Sequence, residues 1–562
     1  MQPRGCCKSN TPSCDIKSLA RPKRPCHKPG INKAQLWRED LGMLYKSLVS
    51  VAVCAIMVSG CSQTSQSDKQ YAPSQTLDVQ EPMASVLAPE GSEKYKPNEI
   101  SPVRTVADTP VSTFAVDVDT GAYANVRRFL TRGQLPPRDA VRTEELVNYF
   151  RYDYPLPTDR SQPFSVTTDV AQTPWNSDTR LLRIGLRGYD LSYARRPAAN
   201  LVFLIDVSGS MEDADKLPLV KTALSMLADN LQPQDKVGIV VYAGAAGVVL
   251  DPTSDPSEIK TALNQLSAGG STAGGEGIEL AYATARANFM KGGVNRIIIA
   301  TDGDFNVGVT NQKQLEELIT SNRDDGITLT TLGFGQGNFN DALMESMADL
   351  GNGNYAYIDS AMEAKKVLSE ELSSTLFTIA KDVKIQVEFN PAYISQYRLI
   401  GYENRALAEQ DFDNDKVDAG EIGAGHQVTA LYEVVPAGSK GWSSERRYAD
   451  NKRSAGGKQD GELAFVRLRY KLPDGDTSRL IERPVAATLL ADAPAPRGDM
   501  AFVTAVAAFG QKLRGDTRLG DTNFADIRRL AGNPDGYWRQ EFVKLTELAE
   551  TKAPIKTAQL VD

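Results

Sequence analysis

Cysteine, histidine and long apolar runs are scarce in this 562-residue chain, and their absence excludes several kinds of protein. All six cysteines lie at or before Cys61, so the remainder of the chain has no disulfide and no cysteine-based metal site. Only one of the two histidines, His426, follows Cys61, and no G-x-S-x-G motif accompanies it, so we interpret it as a structural residue. No apolar run after Cys61 approaches the ~20 residues that a membrane-spanning helix needs.

Basic charge is also unevenly distributed. Ten lysine and arginine residues but only three acidic residues precede Cys61, whereas the whole chain has a net charge of -8. The remainder of the chain is therefore acidic, and this balance argues against nucleic acid as a partner.

Residues 1–60 have the features of a signal or leader region. Met43 is a candidate for the true start, Lys46 supplies positive charge, and the apolar stretch 48–58 is too short to span a bilayer. The following VSGC resembles the lipobox of bacterial lipoproteins, which implies cleavage before Cys61 and lipidation of its thiol. In lipoproteins of bacteria with two membranes, a residue other than Asp after the cysteine, here Ser62, implies a location in the outer membrane. An ordinary cleaved signal or a short anchor is the alternative.

The regions that flank the central part of the chain differ in pattern. Residues 61–110 are rich in Ser, Gln, Pro, Glu and Lys, as is typical of a flexible tether. Residues 111–160 combine a short strand with two helical patterns and predict a short N-terminal α/β domain. Alternating apolar residues in 163–190 and 380–485 predict antiparallel strands, which we expect to form one β-sandwich. A helical region is expected over 486–562.

Residues 199–376 have a different character, because continuous apolar strands alternate there with amphipathic helices. The predicted strands are Leu201–Ile205, Val237–Tyr242, Arg296–Ala300, Ile327–Leu332 and Tyr355–Ile358. Such strands form a parallel sheet covered by helices on both faces. The predicted fold class is α/β: a doubly wound, mostly parallel, Rossmann-like sheet, inserted into the β-sandwich and followed by C-terminal helices.

Oxygen-bearing side chains follow three segments of this α/β block. They are Asp206, Ser208 and Ser210 in DVSGS, Thr272 in AGGSTAGGEG, and Asp302 in IIIATDGD. Ligand sites of parallel sheets form at the carboxyl ends of the strands, so we expect these side chains to meet. Oxygen ligands without His or Cys select a hard cation; Mg²⁺ is expected, with Mn²⁺ or Ca²⁺ as alternatives. Helix capping by Asp206 and Ser208 would explain only one of the three segments.

The pattern D-x-S-x-S, a later Thr and a later T-D-G resembles the metal-ion-dependent adhesion site of von Willebrand factor type A domains. The resemblance covers about residues 199–376. It implies that Ser208, Ser210 and Thr272 bind the metal directly, while Asp206 and Asp302 act mostly through water. It also implies an open sixth position for an acidic group of a partner.

The flanking regions resemble the bacterial YfbK-type lipoproteins. The stretches that carry this resemblance are STFAVDVDTGAYANVRRFL, GQLPPRDAVRTEELVNYFRYDYP and RLIGYENRALAEQDFDNDKVDAGEIGAGHQVTALYEVVP. The resemblance extends from about residue 90 and implies a cell-envelope location. That family brings no settled activity.

A further acidic stretch, DFDNDKVDAGEIG, is similar to a calcium-binding EF-hand loop through Asp411, Asp413 and Asp415. However, Lys416 stands at the sixth position, where an EF-hand loop requires glycine, and Ile422 stands at the twelfth position, where it requires glutamate. We interpret the stretch as a polar connection between strands.

The sequence therefore predicts an envelope-anchored binding protein rather than an enzyme. Its cation would hold an Asp or Glu of an unidentified envelope protein, and a lipid anchor would hold it to the membrane. Two alternatives stay open. A metal hydrolase would act through a water on the same ion, and a structural scaffold would use the ion only to lock loops together.

Overall fold

The computed structural model of the protein describes residues 93–116, 119–159, 161–191, 196–272, 274–303, 305, 312–442 and 461–552. Helices within these ranges are all too short or too polar to cross a bilayer. Cys61 and the leader region lie outside the described residues.

The strands are numbered along the chain. They are β1 (Arg104–Thr105), β2 (Val111–Ala115), β3 (Phe164–Thr173), β4 (Asn176–Gly188), β5 (Ala199–Asp206), β6 (Lys236–Tyr242), β7 (Ala246–Thr253), β8 (Val294–Thr301), β9 (Thr328–Phe334), β10 (Tyr355–Ile358), β11 (Thr378–Phe389), β12 (Ile394–Ile400), β13 (Ala406–Leu407), β14 (Gly420–Gly423), β15 (Gln427–Pro436), β16 (Glu462–Lys471) and β17 (Arg479–Ala486).

The helices are numbered in the same way. They are α1 (Gly121–Thr131), α2 (Thr143–Asn148), α3 (Leu217–Ala228), α4 (Pro256–Gln265), α5 (Gly274–Ala287), α6 (Gln312–Asp324), α7 (Asp341–Leu350), α8 (Ala361–Lys365), α9 (Leu372–Leu376), α10 (Thr488–Ala491), α11 (Gly498–Arg514), α12 (Phe524–Ala531) and α13 (Tyr537–Lys552).

The central sheet has the strand order β10-β9-β8-β5-β6-β7, and every pair is parallel except β6 with β7. Alternate residues of β5 enter different cores: Leu201 and Phe203 pack with α3, whereas Val202 and Leu204 pack with α5 and α6. Helices therefore cover both faces, which explains why the strands are continuously apolar. The predicted α/β fold class is confirmed.

The predicted strands of this sheet are all present, and each predicted end lies within two residues of the observed end. The sequence prediction missed β7, the antiparallel edge strand. It is partly or fully exposed at every position, and its apolar stretch, residues 248–250, ends at Asp251 and Pro252, as is typical of an edge strand rather than a buried one.

Two antiparallel sheets flank this block. One has the order β1-β12-β15-β4-β3 and the other β13-β2-β11-β16-β17, with β14 added beside β11. Residues 163–190 and 380–485 meet through the pairing of β4 with β15. Aromatic side chains fill the space between the two sheets; Phe389, for example, lies 4.4 Å from Tyr397 between ring centroids. The two sheets therefore form a sandwich.

The structure differs from the sequence-based domain boundaries near the N-terminus. Residues 93–110, assigned to the tether, pack on the folded body, and β1 is the edge strand of one sandwich sheet. Strand β2, assigned to a separate N-terminal domain, pairs with β11 in the other sheet. These pairings join residues almost 300 positions apart, and local composition carries no signal for them.

The C-terminal helices pack on α1 and α2 and on one sandwich sheet. A buried ion-pair cluster joins them to that sheet. Arg398 of β12 donates to Glu433 of β15 at 2.7 and 3.0 Å and to Asp516 at 2.6 Å. All three side chains are at most 1% exposed.

Replacing Arg398 tests whether this cluster fastens the helices. In Arg398→Met, Glu433 stays buried without its guanidinium partner, and Asp516 keeps only the contact with Arg518, so we expect the free energy of unfolding to fall by about 3–5 kcal/mol. Urea unfolding of the protein that begins at Ser62 measures this free energy. The matched control is Lys313→Ala, because Lys313 forms an exposed pair with Glu317 that contributes roughly 0–1 kcal/mol. Equal losses in the two variants would contradict the expectation.

Candidate metal centre

Asp206 and Asp302 lie at the same edge of the central sheet. Asp206 is the last residue of β5, and Asp302 directly follows β8, its parallel neighbour. Both residues are fully buried. The parallel register thus places two carboxylates side by side, as predicted from the strand ends.

Hydrogen bonds fix the Asp206 carboxylate in place. Its Oδ1 accepts from the backbone N–H of Ser208 at 2.9 Å. Its Oδ2 accepts from the Thr301 hydroxyl at 2.9 Å and from the Tyr242 hydroxyl at 3.2 Å. Burial raises the pKa of Asp206 against the lowering effect of the Ser208 hydrogen bonds, and the neighbouring Asp302 raises it further. The two carboxylates therefore repel each other in a buried setting.

Ser208 and Ser210 place two hydroxyls above these carboxylates. Their Oγ atoms lie 3.1 Å apart and form a hydrogen bond. Ser208 is 2% exposed, whereas Ser210, in the first turn of the 3₁₀ helix Gly209–Glu212, is open to solvent. Octahedral Mg²⁺ ligands at 2.0–2.1 Å have neighbouring oxygens roughly 3 Å apart. The two hydroxyls are therefore spaced as adjacent ligands of such an ion.

The loop of Thr272 is held beside the serine loop by two backbone hydrogen bonds. The Gly209 N–H donates to the Gly270 carbonyl at 3.0 Å, and the Gly269 N–H donates to the Val207 carbonyl at 2.8 Å. Thr272 follows this pairing and is partly exposed. The structure thus brings the three predicted segments to one edge of the sheet.

Lys216 is the main feature that the sequence prediction missed. Its Nζ donates to Asp302 Oδ2 at 3.0 Å, and its side chain is 6% exposed. The aliphatic part packs against Gly335, which has a φ of +68° and where a Cβ atom would collide with the lysine. Lys216 therefore places a fixed positive charge beside one of the two carboxylates.

A loop at residues 335–340 closes the far side of the site. Asn338 Nδ2 donates to Asp302 Oδ2 at 3.3 Å. Gly303, which follows Asp302, has a φ of +87°, and a Cβ atom there would collide with the backbone nitrogen of Asn340. The glycine of the T-D-G sequence is thus needed for the approach of this loop.

The N-terminal end of the described chain reinforces the same loop. The Gly337 N–H donates to Glu93 Oε1 at 3.0 Å, and the Lys94 N–H donates to the Phe339 carbonyl at 2.9 Å. Arg128 binds both oxygens of Glu93, at 2.9 and 2.8 Å. Residues 93 and 94 therefore form part of the rim of the site.

The donor set fits a hard divalent cation. It consists of oxygens alone: two buried carboxylates and two hydroxyls at ligand spacing, with a third hydroxyl on the adjoining loop. A cavity of about 410 Å³, lined by residues that include Tyr149, Lys366 and Trp538, lies elsewhere, and none of its lining residues belongs to the three loops.

Comparisons with known proteins agree with this architecture. Residues 200–371 match the von Willebrand factor type A domain family, residues 89–183 match the family described as von Willebrand factor, and residues 374–551 match the family described as YfbK, C-terminal. The uncharacterized protein YfbK of Escherichia coli (strain K12) is 46% identical over 480 residues, which cover 83% of each chain.

More distant relatives match parts of the chain. The uncharacterized protein sll0103 of Synechocystis is 33% identical over 187 residues, which cover 33% of this chain and 43% of that protein. The solved structure of a von Willebrand factor type A protein from Catenulispora acidiphila is 16% identical, with a TM-score of 0.38. The matched region covers 71% of this chain and 91% of the Catenulispora chain.

The position of Lys216 yields a test of the candidate metal centre. In Lys216→Met we expect the Mg²⁺ dissociation constant to fall by about tenfold or more, since repulsion between two cations a few ångströms apart is large in a buried site. Isothermal titration calorimetry measures it. The matched control is Lys221→Met, because Lys221 donates to the Asn264 carbonyl rather than to the site. Unchanged or weaker Mg²⁺ binding in Lys216→Met would refute this role of the lysine.

Proposed function

The chain belongs to the YfbK family of proteins with a von Willebrand factor type A domain, and from this premise we propose that it is an envelope-anchored, metal-dependent binding protein. In general, von Willebrand factor type A domains bind protein partners or adhere to them through a metal ion. The proposed partner is another envelope protein that offers an Asp or Glu side chain to the cation. The observation that carries the proposal is the pair of serine hydroxyls 3.1 Å apart above two buried carboxylates.

The proposed ligands divide into two groups. Ser208, Ser210 and Thr272 would bind the cation directly, and Asp206 and Asp302 would support it mostly through water. Mg²⁺ is the proposed ion on the basis of the hydroxyl spacing, and Mn²⁺ or Ca²⁺ are the alternatives.

The charges of the site favour an acidic partner. Two carboxylates and the Lys216 ammonium together carry a single negative charge, so a divalent ion makes the site positive overall. Neutral hydroxyl ligands do not reduce the charge of the ion, which therefore still attracts an external carboxylate. Ser210 is exposed, so that face of the site is accessible to a partner.

The hydrolase alternative has less support. A hydrolase would need a general base that is available to a metal-bound water. Asp206 already accepts three hydrogen bonds, and Asp302 is engaged by Lys216 and Asn338. Asp304, the remaining nearby acid of the sequence, lies outside the described residues. We therefore propose binding rather than catalysis.

The proposed anchor is the lipidated thiol of Cys61, followed by a tether that leads to the folded body. A tether of this composition would allow the domain to search for its partner at some distance from the bilayer. The outer membrane is the proposed location because Ser62, not Asp, follows the cysteine.

The function is tested by a pull-down from detergent-solubilised envelope with the chain from Ser62 as bait. We expect a partner to be retained with Mg²⁺ and lost with EDTA. We also expect Asp206→Ala to lose both Mg²⁺ binding in calorimetry and the partner, while circular dichroism shows that the fold is kept.

Two serine variants make this test sharper. Ser210→Ala removes a proposed ligand without disturbing the buried carboxylates and should also lose the partner. Ser271→Ala changes an exposed serine next to Thr272, and this variant should still bind the partner. A partner that stays bound in EDTA, or that Asp206→Ala retains, would contradict the proposal.

The anchor is tested by membrane fractionation of cells that express the full chain. Cys61→Ser removes the only thiol that the lipobox-like motif offers, so we expect the protein to move from the membrane fraction to the soluble fraction. The matched control is Cys54→Ser, within the apolar stretch of the leader, which should leave the distribution unchanged. An unchanged membrane fraction for Cys61→Ser would refute lipid anchoring.

A further inference from the structure

Three acidic side chains meet in the sandwich, far along the chain from the candidate metal centre. Asp382 belongs to β11, Asp418 to the connection before β14, and Glu421 to β14 itself. One carboxylate oxygen from each lies within 4.8 Å of the other two. Among the described residues, this is the group of three such side chains that lies close enough to share one ion.

An irregularity in β11 brings Asp382 to this point. The pairing of β11 with β14 and with β16 shifts register between residues 380 and 384, as in a β-bulge. Asp382 has a φ of +52°, which is the left-handed region that few residues other than glycine adopt. The bulge thus directs an aspartate out of the regular alternation and towards β14.

Glu421 has an oxygen that nothing satisfies. Its Oε1 is buried and has no hydrogen-bond partner within the described parts of the chain. Burial raises the pKa of Glu421 well above its usual range, and the nearby Asp418 and Asp382 raise it further. One buried oxygen of Glu421 is therefore left without a donor or a cation among the described residues.

The neighbouring basic residues compensate only the other two acids. Lys471 Nζ lies 2.7 Å from Asp382 Oδ2, and Arg323 Nη1 lies 2.7 Å from Asp418 Oδ2. The buried guanidinium of Arg296 lowers the pKa of Glu421 at longer range but donates to Thr328, Thr330 and the Thr375 carbonyl. The contacts from Lys471 and Arg323 orient two carboxylates, and Glu421 stays uncompensated.

We propose that Asp382, Asp418 and Glu421 bind a calcium ion, separate from the cation proposed at the ends of the central strands. Ca²⁺ takes oxygen ligands at 2.3–2.6 Å, so two ligands on opposite sides of the ion are at most roughly 5 Å apart. The three carboxylate oxygens, which lie within 4.8 Å of one another, satisfy this limit. Three carboxylates without hydroxyl or imidazole ligands favour this ion. Asp418 is open to solvent and gives the ion a path of entry.

The ion would add a link between strands that are already paired, β11 and β14, and the connection that precedes β14. Asp418 also pairs with Arg323, which is on α6 of the central α/β block. Calcium would therefore clamp the connection before β14 to β11 and, through Asp418 and Arg323, to that helix. It would act as a structural ion that does not contact the partner.

The test is Ca²⁺ titration of the full chain in detergent, in the Asp206→Ala background that removes the other proposed site. We expect one Ca²⁺ per chain by calorimetry and a higher melting temperature with Ca²⁺. Adding Glu421→Gln should weaken Ca²⁺ binding at least tenfold and remove the shift in melting temperature. Glutamine matches glutamate in size and buries no charge, so the fold should persist without the ion.

The neighbouring acids of the same connection supply the control. Asp413 and Asp415 contact Arg469 instead of the cluster, so Asp413→Asn should keep the Ca²⁺ affinity of its background. Asp382→Asn should weaken Ca²⁺ binding, as is expected of Glu421→Gln.

Two results would overturn the calcium proposal: absence of Ca²⁺ binding in the Asp206→Ala background, or binding that survives both Glu421→Gln and Asp382→Asn. Neither would affect the partner-binding function, which is measured by the Mg²⁺-dependent pull-down. Conversely, loss of that pull-down would leave the calcium result unchanged.

Discussion

Two carboxylates buried side by side are the constraint on which the site and its surroundings depend. The register of β5 and β8 places Asp206 and Asp302 at one edge of the sheet, where burial of a charge costs several kcal/mol unless it is compensated. The adjoining loops supply that compensation, because Thr301, Tyr242 and the Ser208 N–H bind Asp206, and Lys216 and Asn338 bind Asp302. One lysine for two carboxylates leaves negative charge, and a bound cation would complete the balance.

The same interactions connect the site to the N-terminal part of the chain. Asn338 contacts Asp302, and the backbone on either side of it is held by Glu93 and Lys94. Glu93 is in turn fixed by Arg128 of α1. Residues 93 and 94, which the sequence pattern assigned to the tether, thus belong to the rim of the site and hold the loop that positions Asn338.

Much of the fold and part of the candidate site could be predicted from the sequence, because both depend on local patterns. Continuous apolar strands between amphipathic helices indicated the parallel sheet, and polar residues at the strand ends indicated where Asp206 and Asp302 lie. Lys216 could not be predicted, since its partner is 86 residues away and a lysine before a helix has no distinctive pattern. Likewise, nothing local shows that β1 and β2 join strands almost 300 residues further on.

The α/β block is attached to the sandwich at both of its ends. The chain enters the block after β4 of one sandwich sheet and returns as β11 of the other. Both crossings are held by backbone hydrogen bonds to one short stretch: Gly188 N–H to the His426 carbonyl, Gly425 N–H to the Tyr189 carbonyl, and Ala424 N–H to the Phe377 carbonyl, all within 2.9 Å. Burial lowers the pKa of His426 to about 4, so this junction holds a neutral histidine at physiological pH. Within the described residues, the stretch 424–426 therefore bonds to the chain both where it leaves the sandwich after β4 and where it returns before β11.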